Sequence, residues 1–61
     1  MFRIEFVDDG ILRDCSTDNS FTAAVLFDTL QRSYNQVYWY RINLDNQEEL
    51  FQFYNSNQIA A

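Results

Sequence analysis

The spacing of apolar residues between positions 19 and 34 constrains the fold of this chain more than any other feature. Apolar side chains recur there at intervals of three and four, which is typical of one face of a helix: Ala23, Leu26, Phe27, Leu30 and Tyr34. Ser20 is the preferred N-cap, with Asp18 and Asn19 as alternatives, and Asn35 is a suitable end residue. A helix with one apolar stripe requires a second layer that covers the stripe.

Two residue pairs lie off this stripe. Asp28 and Arg32 are four residues apart with the acid first, so they can form an ion pair. Phe21 and Val25 fall on the face opposite the stripe. We interpret them either as scattered surface residues, which are common, or as a secondary docking patch.

Two strands are predicted before the helix and are joined by a turn at Gly10, since residues 2–7 alternate between apolar and polar. A two-residue Asp9-Gly10 turn would set Phe6 opposite Arg13, which mixes the two faces. A three-residue loop with Gly10 in the left-handed region sets Phe6 opposite Leu12. We prefer the three-residue loop, and we expect a short second strand.

The density of aromatic and β-branched residues over positions 36–44 predicts a third strand. Residues 45–54 are ambiguous. As a helix, they would begin with a capping box of Asp45 and Glu48. As a hairpin strand after a four-residue loop, they would match Ile42 with Phe51 and Tyr40 with Phe53 on one side, and Arg41 with Gln52 and Trp39 with Tyr54 on the other. Because these four pairs agree on faces, we prefer the hairpin.

These elements predict a small α+β domain of ββαββ order. Its four-stranded antiparallel sheet has the strand order 2-1-3-4, and one helix packs on one face. The domain spans residues 1–61, with a frayed polar tail from about residue 55. The predicted core is Phe2, Ile4, Phe6, Leu12, Ala23, Leu26, Phe27, Leu30, Tyr40, Ile42, Phe51 and Phe53.

Composition disfavours several classes of function. The net charge is −5 with four arginines and no lysine, which is the wrong sign for direct binding to nucleic acid or to anionic membranes. No apolar run is long enough to span a membrane, and the alternating N-terminus is unlike a signal peptide. A single cysteine suits the reducing cytoplasm.

The chain shows no pattern typical of an enzyme or a metal protein. It has no histidine, and Cys15 has no basic neighbour that would activate its thiol. A calcium-loop pattern of alternating oxygen ligands fails, because Asn19 replaces the required glycine and Val25 replaces the bidentate glutamate. The candidate ligands of that loop are Asp14, Ser16, Asp18 and Ser20. We therefore expect no catalysis, no cofactor and no metal.

The remaining candidate is the sheet face that the helix does not cover. Alternation from the preferred hairpin register places six partner-binding candidates there: Val37, Trp39, Arg41, Leu50, Gln52 and Tyr54. Tryptophan, tyrosine and arginine dominate interface hot spots, although these side chains could simply pack across the hairpin. We expect a binding module, such as an inhibitor, adaptor or regulatory protein of the kind that bacteriophages encode. It would dock on another protein through this face or through a sheet edge.

Two other functions stay open. The carboxylates could imitate the phosphates of DNA and so decoy a DNA-binding protein: Asp8, Asp9, Asp14, Asp18, Asp28, Asp45, Glu48 and Glu49. Alternatively, the aromatic face could close a two-fold dimer, in which case the partner is a second copy.

Overall fold

The computed structural model describes residues 1–56 and has one helix packed on a four-stranded sheet. Its elements are β1 (Phe2–Asp8), β2 (Ile11–Thr17), α1 (Ser20–Gln31), β3 (Gln36–Ile42) and β4 (Glu48–Asn55). All neighbouring strands are antiparallel, in the order β2-β1-β3-β4. The helix packs on β1 and β3 and also reaches β2. The predicted α+β class, element order and strand order are confirmed.

The N-terminus of α1 is capped by Asn19, one of the alternatives to the preferred Ser20. The Asn19 side chain accepts a hydrogen bond from the Thr22 backbone N–H at 3.0 Å. This bond satisfies one of the free donors of the first turn. The cap lies in extended backbone, so the chain leaves β2 and turns directly into the helix.

The C-terminus of α1 comes earlier than the sequence suggests. The helix ends at Gln31 with Arg32 as the C-cap in right-handed conformation, so Asn35 is not its end residue. The expected ion pair is present, with the Arg32 guanidinium donating to Asp28 at 2.9 Å. This contact gives Arg32 a partner one turn back and holds it on the outer surface.

The core lies between α1 and the centre of the sheet. Its buried residues are Ile4, Ala23, Phe27, Val37 and Trp39, and these are bordered by Phe2, Phe6, Cys15, Leu26, Leu30, Tyr34 and Tyr54. The predicted helical stripe is therefore confirmed. Five predicted core residues lie outside this cluster: Leu12, Tyr40, Ile42, Phe51 and Phe53.

The first hairpin has the turn that we rejected. Asp9 and Gly10 form a two-residue turn with φ of 53° and 81°, the positive values that a type I′ turn requires. Phe6 consequently faces Arg13, and β2 is seven residues long rather than short. The mismatch does not bury a charge, because Arg13 stays exposed at the sheet edge and contacts Asp8 at 3.1 Å.

The second hairpin is confirmed as a hairpin, but its loop spans residues 43–47 instead of the predicted four. The Asn43 side chain accepts from the backbone N–H groups of Asp45 and Gln47 at 2.9 and 3.0 Å. Asn46 takes a positive φ of 60° within this loop. This local bonding fixes the longer loop, as asparagine commonly does in turns.

The β3–β4 register consequently differs from the prediction. Ile42 faces Glu48 rather than Phe51. Tyr40 faces Leu50 and Trp39 faces Gln52, so the residue between these partners, Phe51, is the extra residue of a β-bulge. Its ring packs on Trp39, with the centroids 4.8 Å apart. The bulge reverses the alternation of β4 at Phe51, so Leu50 lies on the side of the sheet opposite to Trp39. Three predicted pairs still share a side although they are no longer directly opposed: Trp39 and Tyr54, Arg41 and Gln52, and Tyr40 and Phe53.

The two sides of β3 are exchanged relative to the prediction. β1 sets the sides, because Ile4 faces Trp39 and Phe6 faces Val37, and directly opposed residues share a face. Val37 and Trp39 thus lie beneath the helix, whereas Tyr40 lies on the opposite side. Both sides of β3 are rich in apolar residues, so its alternation alone does not distinguish them.

The end of the described chain is paired with the sheet. Asn55 belongs to β4, and the Ser56 backbone N–H donates to the Asn35 carbonyl at 3.0 Å. The tail expected from residue 55 therefore does not begin there, and residues 57–61 lie outside the described residues. Among residues 1–56, no helix combines the length and apolar character that a membrane crossing needs.

Candidate binding face

Most of the predicted partner-binding residues lie on the helix side of the sheet. Val37 is fully buried and Trp39 is 7% exposed, so neither can contact a partner while the protein stays folded. The same side carries Arg41, Gln52 and Tyr54, because they face Phe2, Trp39 and Val37 in the register. Leu50 alone of the six lies on the uncovered face, where it opposes Tyr40. The predicted placement of the other five is wrong.

The predicted secondary patch lies where expected, on the outer surface of α1. Phe21 and Val25 are both exposed, Phe21 by 75%. They are one helical turn apart and lie on the side away from the core. They therefore form a small exposed apolar pair on the surface of the helix.

The uncovered face of the sheet has an apolar half on β3 and β4. We call Tyr38, Tyr40, Ile42, Leu50 and Phe53 the apolar strip. Leu50 and Phe53 are 51% and 50% exposed. The rings of Tyr38 and Phe53 stack across the two strands with their centroids 6.4 Å apart. The strip therefore lies on two paired strands and is partly open to solvent.

Beside the apolar strip, Arg3 gathers charged side chains from the rest of the sheet. Its guanidinium donates to Glu48 through two nitrogens at 2.5 and 3.0 Å, to Glu5 at 2.8 Å and to Asp14 at 3.3 Å. It also lies 4.7 Å from the centre of the Tyr40 ring. These contacts connect all four strands. We call Arg3, Glu5, Asp14 and Glu48 the Arg3 cluster.

The Arg3 cluster carries an excess of negative charge. It combines one positive group with three carboxylates, so its formal charge is 1 − 3 = −2. The hydrogen bonds to Glu48 and Glu5 raise the pKa of Arg3 above its ordinary value, and the bond from Arg3 lowers the pKa of Glu48. Burial raises the pKa of Tyr40. At neutral pH Glu48 is therefore negatively charged and the Tyr40 hydroxyl is neutral.

The remaining polar groups offer little chemistry. Burial raises the pKa of the Cys15 thiol, which disfavours the nucleophilic thiolate. Among residues 1–56, no group of three or more histidine, cysteine or acidic side chains could hold a metal ion. A cavity of about 390 Å³ lies between the first turn and the connection after α1. Its lining residues are Val7, Asp8, Asp9, Gly10, Ser33, Tyr34, Asn35 and Gln36, without a thiol or an imidazole.

The sheet edges are less suited to binding than the uncovered face. β2 and β4 are the edge strands. The bulge at Phe51 interrupts β4, and bulges of this kind discourage a further strand from pairing with an edge. On β2, Arg13 and Asp14 place both signs of charge beside the free edge.

The sequence carries a signal for the apolar strip in the polar residues of β1. Arg3 and Glu5 define the polar side of β1, and they face Tyr40 and Tyr38 in the register. Tyrosine tolerates partial exposure because its hydroxyl can reach water, whereas Val37 has no polar group. The tyrosines were thus the better candidates for the uncovered face.

Comparison of this chain with family models, with curated proteins and with solved structures gives no match.

Proposed function

We propose that this protein is a non-enzymatic binding module that docks on another protein through the apolar strip. The observation that carries the proposal is that the side chains of Leu50 and Phe53 are about half exposed. Beside them, the ring of Tyr38 stacks on Phe53 and the ring of Tyr40 packs against Arg3. Tyrosine is among the residue types enriched at the centres of interfaces. Because the strip lies on two paired strands, little conformational entropy is lost when a partner covers it.

The small size of the core supports the same function. Only five side chains are buried between helix and sheet in the described chain, so a large share of the apolar surface stays in water. Burying the exposed halves of Leu50 and Phe53 would contribute on the order of 1 kcal/mol each. A partner would thus add to a core that is otherwise limited by chain length. An inhibitor, adaptor or regulatory role fits a module of this kind.

The acidic-decoy alternative has weaker support. Asp9 lies at the end of the sheet formed by the first turn, whereas Asp18 and Asp45 lie in connections at the other end. Six other carboxylates are held by arginines of the same chain: Glu5, Asp8, Asp14, Asp28, Glu48 and Glu49. A phosphate mimic needs free charges along one line, and this arrangement does not provide one.

Affinity capture with two matched double variants tests the proposal. One variant carries Leu50→Ser and Phe53→Ser in the apolar strip, and the other carries Phe21→Ser and Val25→Ser on the outer face of α1. Each replaces one phenylalanine and one aliphatic residue that are already exposed, so both should stay folded by circular dichroism. The partner should be retained by wild type and by the helix variant, and lost by the strip variant.

Equal retention by the two variants, or loss in the helix variant alone, would contradict docking through the strip. In the second case, Phe21 and Val25 would be the contact surface.

A further inference from the structure

We infer that the partner presents a basic segment with apolar side chains along one side and arginine or lysine along the other, and that this segment lies lengthwise on the uncovered face. The inference rests on the proposed docking function and specifies the chemistry of the partner. It follows from the sheet register, which in two successive rows of opposed residues on this face sets charged side chains of β1 and β2 beside apolar side chains of β3 and β4.

The register sets charged and apolar residues side by side. One row of directly opposed residues runs across the four strands of the sheet: Asp14 faces Glu5, Glu5 faces Tyr38 and Tyr38 faces Phe53. We call each such row a level. Adjacent strands lie about 4.8 Å apart, so the distance across the sheet from the carboxylates of Asp14 and Glu5 to the ring of Phe53 is about 10–15 Å. This is the width of one helix with its side chains. One segment can therefore contact both halves at once.

One level further along, the charged residue beside the apolar side chains is Arg3, which contacts the three carboxylates of its cluster. Arg3 faces Tyr40, and Tyr40 faces Leu50. Repetition of the pattern along the strands favours a partner that lies parallel to them. A partner that met the sheet end-on would contact one level only.

The charge that the partner must supply is positive. All four arginines are already paired within the chain. Arg3 contacts the carboxylates of its cluster. The other three pairs are Arg13 with Asp8 at 3.1 Å, Arg32 with Asp28 at 2.9 Å, and Arg41 with Glu49 at 3.4 Å. The Arg3 cluster nevertheless keeps a formal charge of −2. A cationic side chain from the partner would balance part of that charge.

Asp14 is the carboxylate best placed to receive this cation. Its side chain is 56% exposed, and its contact with Arg3, at 3.3 Å, is longer than those of Glu5 and Glu48. It also lies on the charged side of the row that ends at Phe53. A partner could therefore place an arginine or lysine beside Asp14 and an apolar residue on Phe53.

A second copy of this chain fits the face poorly. Each copy has a net charge of −5 and presents the same negative cluster, so face-to-face contact would bring like charges together. Its arginines are occupied and offer no free cation. A basic partner is complementary in both charge and apolar character.

Selection from a random peptide library tests the inference without assuming a partner. Peptides of about 15 residues are long enough, as a helix, to span a strand of seven residues. Folded wild-type protein is the bait, and peptides that also bind the Phe53→Ser variant are removed. We expect the remaining peptides to be enriched in lysine or arginine together with aromatic or aliphatic residues.

The other outcomes separate the two proposals. Peptides that require Phe53 but are neutral or acidic would overturn the basic partner and leave the docking function standing. An absence of any Phe53-dependent enrichment would overturn both.

A matched pair of charge variants then locates the cation. Asp14→Asn and Asp28→Asn each remove one exposed carboxylate that contacts one arginine, so they change the net charge equally. For a selected basic peptide, we expect Asp14→Asn to raise the Kd by about fivefold, as for an exposed ion pair, and Asp28→Asn to leave it unchanged. Equal effects would show that the attraction is a property of total charge and would overturn the assignment to the uncovered face.

Discussion

At the scale of single residues, Trp39 shows that an aromatic residue typical of interfaces can instead be part of the core. Its ring contacts those of Phe2, Phe27 and Phe51, with centroids 6.1, 5.6 and 4.8 Å away. We expect Trp39→Ala to lower the free energy of unfolding by about 3–5 kcal/mol. A chain of this size has only about 3–9 kcal/mol in total, so the variant should be largely unfolded or close to it.

Urea denaturation followed by circular dichroism measures this loss. Phe21→Ala is the control, because that side chain is 75% exposed and its removal should cost no more than about 0.5 kcal/mol. Trp39→Phe should cost less than Trp39→Ala, since it keeps a ring and removes a buried Nε1–H that has no acceptor among the described residues. Similar losses for Trp39→Ala and Phe21→Ala would contradict the burial of Trp39.

Also at this scale, Glu48 should make stability depend on acid pH. Its hydrogen bond from Arg3 lowers its pKa in the folded protein below the ordinary value of 4.5. A lowered pKa stabilises the fold in full above the pKa of the unfolded chain, and this contribution is lost as pH falls through the folded pKa. The free energy of unfolding should therefore decline below about pH 4.5, and Glu48→Gln should make that decline shallower.

Urea titrations at several pH values between neutral and acid conditions measure the two slopes. Glu49→Gln serves as the control, because this neighbouring glutamate contacts Arg41 instead of Arg3. If Glu48→Gln and the wild type lost stability with the same slope, the Arg3–Glu48 bond would have no role in acid sensitivity.

At the scale of elements, the first hairpin depends on the backbone of Gly10. Its φ is 81°, and an added Cβ would meet no atom within 4 Å. Gly10→Ala should consequently lose about 1–2 kcal/mol of unfolding free energy through backbone strain alone. A chain of this length is accessible to chemical synthesis, so D-alanine at the same position is the matched control. It adds the same atoms but accepts positive φ, and it should be no less stable than wild type. Equal destabilisation by both would point to a steric cause instead.

The elements differ in how far the sequence could predict them. The spacing of apolar residues is a local property, so the helical stripe around Phe27 and the alternation of residues 2–7 were sufficient to place α1 and β1. Register is a long-range property. It depended on the positive φ of Asp9, on the side chain of Asn43 and on the bulge at Phe51, none of which can be predicted from the spacing of apolar residues. The candidate face was assigned to the wrong side of β3 because both sides of this strand are rich in apolar residues, and only its pairing with β1 shows which side the helix covers.

At the scale of the whole molecule, the division of surfaces follows from one helix covering one side of four strands. α1 buries the side of the sheet that holds Ile4 and Val37, and this leaves Tyr38 and Phe53 on the other. The charges follow the same division, because Arg3 gathers carboxylates from β1, β2 and β4 on the uncovered side. Folding thus creates an apolar strip and an acidic cluster together.

This combination predicts that the protein is monomeric on its own. Two copies meeting through the uncovered face would bury both apolar strips but would also oppose two clusters of charge −2, and charges this close are not screened at physiological salt. We expect sedimentation equilibrium at neutral pH to show a monomer up to about 100 μM, a concentration at which even a weak dimer would be populated. Phe53→Ser and Phe21→Ser, run in parallel, should sediment identically. A dimer that Phe53→Ser disrupts and Phe21→Ser preserves would instead assign the apolar strip to a second copy, and no basic partner would then be required.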